Sequence, residues 1–447
     1  MQRNDLARGR RRVGLGLAIM AVGVVGWVAA PGVPVLWGPR ASADRKEAGH
    51  ELFVHEWLPH DPIARADGLG PVFNARSCVE CHFQGGVGGG GSNEHNVLAF
   101  EAKPTHTRPE IEGGLVHKFA VENHYLEDVS HLRTLFPIVP DAIRITNGCY
   151  VLVRDFDPVN TEQVNSTALF GAGWIDRISS RSITRRNLAA SLQSMGRELS
   201  SDFSSIPPGR YRVLPDGRVG KFGWKAQFAT LEEFVAAACA NELGLGNPHM
   251  EQAKPRVDIP YPDMAPDLDR SQFSSLVAFV DTLPRPGLVV PSDPQARAEV
   301  ERGQVLFERV GCAICHVPEL GGVAGVYSDF LLHRLVDREA GYAYSDVMTG
   351  VPIPREHPDA EEWRTPPLWG VADSAPYFHD GGSPTLRLAI QRHQGDAAPV
   401  SKAFKRLPAE DQGALIRFLE ALQGPPDAIP VPEPAVPADE LTIARAE

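Results

Sequence analysis

The chain has 447 residues, 43% of them hydrophobic, with 42 Gly and 39 Pro. That is enough for two or three domains with a sizeable core in a loop-rich fold, and it excludes disorder throughout. Its 44 Lys and Arg against 56 Asp and Glu give a formal net charge of −12, which makes it a poor nucleic-acid binder and suits, beyond solubility, a basic redox partner.

The N-terminus reads as an export segment. Arg8, Arg10, Arg11 and Arg12 precede an uncharged stretch from Val13 to Ala30, and Ala41-Ser42-Ala43 offers a small-residue cleavage site. Residues 1–43 are thus a signal peptide or an N-terminal anchor. Either way the basic flank stays inside and the body is carried to the periplasm.

Beyond residue 43 the chain repeats itself. Gly49-x-x-Leu52-Phe53 stands before one CxxCH motif, and Gly303-x-x-Leu306-Phe307 before the other. Each unit closes on a similar helix: the eight residues from Leu276 to Leu283 align with those from Leu415 to Leu422. Leu415, Phe418, Leu419 and Leu422 recur at the spacing of one buried helical face, with Pro408 at its start and Gly424 at its stop. Helix, CxxCH, long loop and closing helix are the plan of a cytochrome c domain. The predicted fold is therefore mainly α, with two cytochrome c-like haem domains, 44–283 and 298–424, joined by a Pro-rich linker, 284–297. The first is enlarged by a small β-containing insertion at about 100–165, where Ile143–Thr146 and Tyr150–Val153 read as short strands. A Pro-rich tail, 425–447, reads as extended or disordered.

The two motifs are Cys78-Val-Glu-Cys81-His82 and Cys312-Ala-Ile-Cys315-His316. CxxCH attaches haem c: two thiols at this spacing reach the two vinyl groups on one edge of the porphyrin, and the histidine is held under the iron. Two covalent haems follow, with Cys78, Cys81, Cys312 and Cys315 binding the porphyrins and His82 and His316 the irons. The rival reading is a redox dithiol or half a zinc site. Cys149 and Cys239 are left over, as a disulfide or as two thiols. The glycine run from Gly85 to Gly91 lacks a following Gly-Lys-Ser/Thr, so it is a flexible loop and not a phosphate cradle.

The stretches GLGPVFNARSCVECH, FGAGWIDRI, GRVGKFGWKAQFATLEEF, YSDFLLHRL and RTPPLWGVADSAPYFHDGGSPTLRLAIQRH resemble the di-haem oxidoreductase family. That family is related to the di-haem cytochrome c peroxidases and to the methylamine-utilisation di-haem enzymes, and its members are described as peroxidases or thiol oxidoreductases. The resemblance implies several roles. At the offset where the peroxidases place a distal Met after the PYFHDG histidine, here His379, stands His393; it would ligate the second haem opposite His316. Imidazole favours Fe(III), so this haem would sit at lower potential than its Met-ligated cousins. Trp224 matches the tryptophan between the haems. Asn165, Ser374 and Pro376 match a calcium site of oxygen ligands.

Two departures bear on chemistry. Phe234 stands where the peroxidases keep a Gln, and Gly244 where they keep an acid–base Glu; Glu251 is the acid nearest to substitute. The first haem's distal side is open among His95, His106, His117, His124 and His131. The expected function is a peroxidase-like oxidoreductase in which haem 2 relays electrons to a reactive haem 1. A non-catalytic electron-transfer cytochrome and a haem-based redox or gas sensor are the alternatives. The expected partner is a periplasmic electron donor or acceptor.

Overall fold

A computed structural model of the chain describes residues 42–105, 107–140, 142–146, 148–153, 155–197, 206–256, 260–335, 357–358, 361–432 and 444–445. The segment expected to direct export, apart from its last two residues, lies outside these. Among the described residues no helix is long and apolar enough to cross a membrane.

Two helix pairs organise the fold, and the residues at their crossings correspond. The helix Ala43–Val54, capped by the Ser42 hydroxyl, packs against Arg270–Asp281, which opens on a capping box between Asp269 and Gln272. The helix Pro294–Arg309, with Asp293 as N-cap and Pro294 in its first turn, packs against Ala409–Glu420. At each crossing a glycine lets the backbones meet. A Cβ on Gly49 would overlap the Ser275 carbonyl and lie 2.7 Å from the Phe279 Cβ. A Cβ on Gly303 would overlap the Ala414 carbonyl and lie 2.7 Å from the Phe418 Cβ. Phe53 meets Phe279 with ring centroids 5.3 Å apart, and Phe307 meets Phe418 at the same 5.3 Å. Both phenylalanines then reach the motif histidine, His82 or His316, at 6.5 Å. The G-x-x-L-F repeat thus encodes one crossing used twice.

The region expected to be an insertion holds a three-stranded antiparallel sheet with Val97–Ala102 between Glu112–Val116 and Val159–Val164. The two strands expected from the sequence appear as a separate hairpin, Ala142–Thr146 with Cys149–Val153. The three-stranded sheet has two different faces, as period-2 alternation requires. On one, Phe100, Ala102 and Val116 pack with Leu132 and Phe136 into a small core. On the other, Ala99 opposite Glu162 and Glu101 opposite Asn160 face the first haem motif.

Two loops differ from expectation. The glycine run after His82 is not loose: residues 87–91 are buried, and Gln84 bridges Gly90. The start of the tail is not free either. Ile429 accepts a hydrogen bond from the Val87 N–H at 2.8 Å, and Ala428 sits against Gly86. A chain with glycine at consecutive positions can turn tightly enough to accept such close neighbours.

Candidate haem sites

Each CxxCH motif begins on a cap. Ser77 accepts from the Glu80 N–H at the start of Cys78–Cys81, and Gly311, at φ 94°, admits the tight turn before Cys312–Ile314. This winds the two cysteines of each motif onto one side. Burial pushes the Cys78 and Cys312 thiols up to about 12. A reactive dithiol needs its pKa lowered, so the environment opposes thiol redox chemistry and suits cysteines committed to thioethers.

The motif histidines are oriented for a metal. His82 Nδ1 lies 3.1 Å from the Gly89 carbonyl and His316 Nδ1 3.0 Å from the Tyr327 carbonyl. His393 Nδ1 lies 2.8 Å from the Ala389 carbonyl. A carbonyl can only accept, so each proton is fixed on Nδ1 and Nε2 is the nitrogen for iron. Burial lowers His82 and His316 to about 4 and His393 below its ordinary value, which keeps all three in the neutral, ligating form. His316 and His393 line one cavity of about 260 Å³ with Cys312 and Cys315, near enough for His393 to depress His316. The donor set therefore fits a haem with two imidazole ligands.

Cys78, Cys81 and His82 line a larger cavity of about 670 Å³, walled on one side by the insertion sheet. The described histidines expected near it are otherwise engaged. His117 is buried between Glu127, at 2.6 Å, and the Asn241 carbonyl, at 2.9 Å. His124 and His131 pair with Glu122 and Asp128 on the surface, and His95 stacks edge-on against Phe83. His106 lies outside the described residues. The imidazole that does line this cavity is His357, held to Glu101 at 2.7 Å.

Three acids line the first cavity, Glu101, Glu162 and Glu242, and neither Gly244 nor Glu251 is among its lining. Gly244 packs on Gly70 at φ +62°, and Glu251 is exposed beside Lys254. Glu242, the last residue of the helix Leu231–Glu242, lines the cavity. Burial raises its pKa against the opposing hydrogen bond from Asn74 Nδ2, 2.9 Å from Oε2. Phe234 lines both cavities and stacks on Phe222. Cys239 is buried on the first cavity and Cys149 exposed in the hairpin, and both are free thiols.

Trp224 lines both cavities. Its indole N–H donates to the Asn165 carbonyl at 2.9 Å, and the Asn165 N–H donates to the His379 carbonyl at 2.6 Å. Trp363 also lines both and was not foreseen. It stacks flat on His379 at 3.5 Å, with Lys225 Nζ 3.4 Å from its ring centroid. Asn165, Ser374 and Pro376 line the second cavity together. The Asn165 amide nitrogen donates to Gly91 and Asn96. Cys315, Asp329 and His333 lie close enough to hold a metal, but a thioether at Cys315 removes the thiolate such a site requires.

Paired helices that each lead to a CxxCH motif on a cavity, with a tryptophan wall common to both cavities, suit a protein that holds two c-type haems. Residues 262–422 match the family described as "Di-haem oxidoreductase, putative peroxidase", so the resemblance in the sequence holds over that segment. Cytochrome c peroxidase Ccp of Escherichia coli strain K12 is 31% identical over 135 residues, 28% of this chain and 26% of that protein. Cytochrome c551 peroxidase of Nitrosomonas europaea is 24% identical over 216 residues, 45% of this chain and 61% of that protein. The matches thus span about a quarter and three-fifths of these two relatives. Among solved structures, a Kuenenia stuttgartiensis hydrazine synthase overlaps 58% of this chain and 72% of its own at 17% identity, with a TM-score of 0.32.

Proposed function

We propose that this chain is an exported di-haem c-type oxidoreductase of peroxidase type. In it, Cys312, Cys315, His316 and His393 would hold a haem that would supply the electron relay, and Cys78, Cys81 and His82 would hold the haem that would supply the reactive iron. The observation that carries the reading is the asymmetry of the cavities. The smaller presents two anchored imidazoles, and the larger presents His82 together with the raised carboxyl of Glu242. Haem, when bound, supplies an iron that exchanges one electron at a time. The chain's own residues do the rest. Glu242 takes a proton from a peroxide oxygen and returns it to the other. Trp224 stands in the wall common to both cavities, held by Asn165. The insertion sheet screens the first cavity from water on one side.

Calcium at Asn165 Oδ1 and the Ser374 and Pro376 carbonyls would brace this wall with hard oxygen ligands. The electron partner is a periplasmic donor or acceptor, and the acidic composition suits a basic one.

One observation favours the electron-carrier reading. His357 lines the first cavity, and as a second ligand it would close that iron. An electron paramagnetic resonance spectrum of the exported protein, with its denatured mass, decides. The expected result is two haem additions, one low-spin iron and one high-spin or exchangeable iron. Two low-spin irons that refuse cyanide in both oxidation states would replace the enzyme with a carrier.

A further inference from the structure

The wall between the cavities contains a buried cation that the reading above does not use. Arg364 is 6% exposed and lines the second cavity. Its Nε donates to the Gly223 carbonyl at 2.8 Å and its Nη1 to the Thr365 carbonyl at 3.1 Å. Nη2 is the donor left over. Burial pulls its pKa down to about 10, and the charge of Asp329 opposes this. Asp329 is itself spent on His333, 3.1 Å from Nε2. Among the described residues no carboxylate pairs with Arg364. The other cation on this cavity is differently placed, since Lys221 has the Ile178 carbonyl at 3.1 Å and the Asp176 carboxylate at 3.5 Å.

A guanidinium withdrawn from water without a counter-charge is costly, and buried charges are as a rule paired. The cavity that Arg364 lines is the one whose histidines and cysteines fit a haem, and a haem brings two carboxylates. Guanidinium and carboxylate are matched in shape as well as charge. We propose that Arg364 binds a carboxylate of the haem attached at Cys312 and Cys315, and that through this contact the haem fixes the position of Trp224. The second clause follows from the backbone: besides gripping the Gly223 carbonyl, Arg364 donates its own N–H to the Trp224 carbonyl at 2.8 Å. One residue thus reaches the cavity with its guanidinium and grips the peptide on each side of the shared tryptophan. The proposal rests on the haem reading of the second cavity.

The test is a spectroelectrochemical titration of the full exported protein and of Arg364→Gln and Arg364→Lys, with denatured masses. Arg364→Gln should keep two haems and shift the midpoint of the low-spin haem downward, because removing a cation favours Fe(III). That midpoint should also become more pH-dependent as the unpaired carboxylate titrates, and electron transfer between the haems should slow. Arg364→Lys should restore the midpoint in part. If Arg364→Gln does not accumulate, Arg364→Lys carries the test, since a point charge cannot replace the fork and its midpoint must still differ from wild type in pH profile. A low-spin midpoint and pH profile equal to wild type in the variants that accumulate, or a shift confined to the other haem, overturns the proposal. A wild-type mass lacking two haems overturns it together with the haem reading.

Discussion

Glu242→Gln isolates proton transfer from everything else the first cavity does. Glutamine has the same shape, and it can turn its carbonyl oxygen to Asn74 Nδ2, which lies 2.9 Å from Oε2 in the native chain. The cavity volume and its lining therefore persist, and peroxide should bind as before. What goes is an acid–base group, typically worth about 10²–10⁴ in rate, or about 3–5 kcal/mol of barrier. Stopped-flow peroxide turnover, with binding followed separately at the haem 1 absorbance, measures this. The pH profile gives a second readout. Burial raises the Glu242 pKa, and the base form must take the proton, so wild-type turnover should climb with pH above the ordinary carboxylate range, and the variant should be flat there. The stability sign is the reverse. A carboxyl whose folded pKa is raised contributes stability at low pH that is lost as pH rises through the folded value. Glu242→Gln should therefore gain stability relative to wild type as the solution moves from acid to neutral. Unchanged turnover, or a loss confined to peroxide binding, would refute the role given to Glu242.

The remaining expectations concern the haem 2 ligand, the helix crossings and calcium. His393→Met should raise the potential of one low-spin haem and His393→Gly should make it high-spin or water-bound; identical spectra in both would place the ligand elsewhere. Gly49→Ala and Gly303→Ala each force a methyl group into a backbone carbonyl and should each cost about 1–3 kcal/mol, read by thermal unfolding; tolerance at either position would mean that the helices slide apart freely. If Asn165, Ser374 and Pro376 hold calcium, exhaustive chelation should slow transfer between the haems and added calcium should restore it, without loss of either covalent haem; an unaltered rate at undetectable calcium would dismiss the site.

The attachment motifs and the duplicated crossing could be read from sequence because both are local or periodic. CxxCH fixes its chemistry within five residues, and G-x-x-L-F meets a helix whose own apolar spacing is plain. His393 and Trp224 are legible only through offsets in a resembling family; His393 lines the second cavity and Trp224 lines both. The same counting failed for the acid. It landed on Gly244, whereas the helix ends two residues sooner and points Glu242 inward. A signal was present: a glutamate as the last residue of a helix opposes the helix dipole, and an apolar run, Val235 to Ala240, precedes it. Trp363 had no such mark, since its three-residue strand, Glu362–Arg364, is too short to show a period. Arg364 was hidden for another reason: sequence counts a charge but does not reveal whether a partner waits for it.

The contact between Ile429 and the glycine turn has a consequence for how the molecule is made. The Gly89 carbonyl that sets the proton of His82 belongs to a turn whose neighbouring residue, Val87, is tied to a residue beyond the last helix. The amino-terminal CxxCH motif is synthesised first, but its glycine turn is tied to a residue made after both helix pairs. That turn cannot take its final form until residue 429 has been made. A chain cut after Gly424 should retain both motifs and both helix pairs while losing that tie, and its flaw should appear at the motif farthest in sequence from the cut.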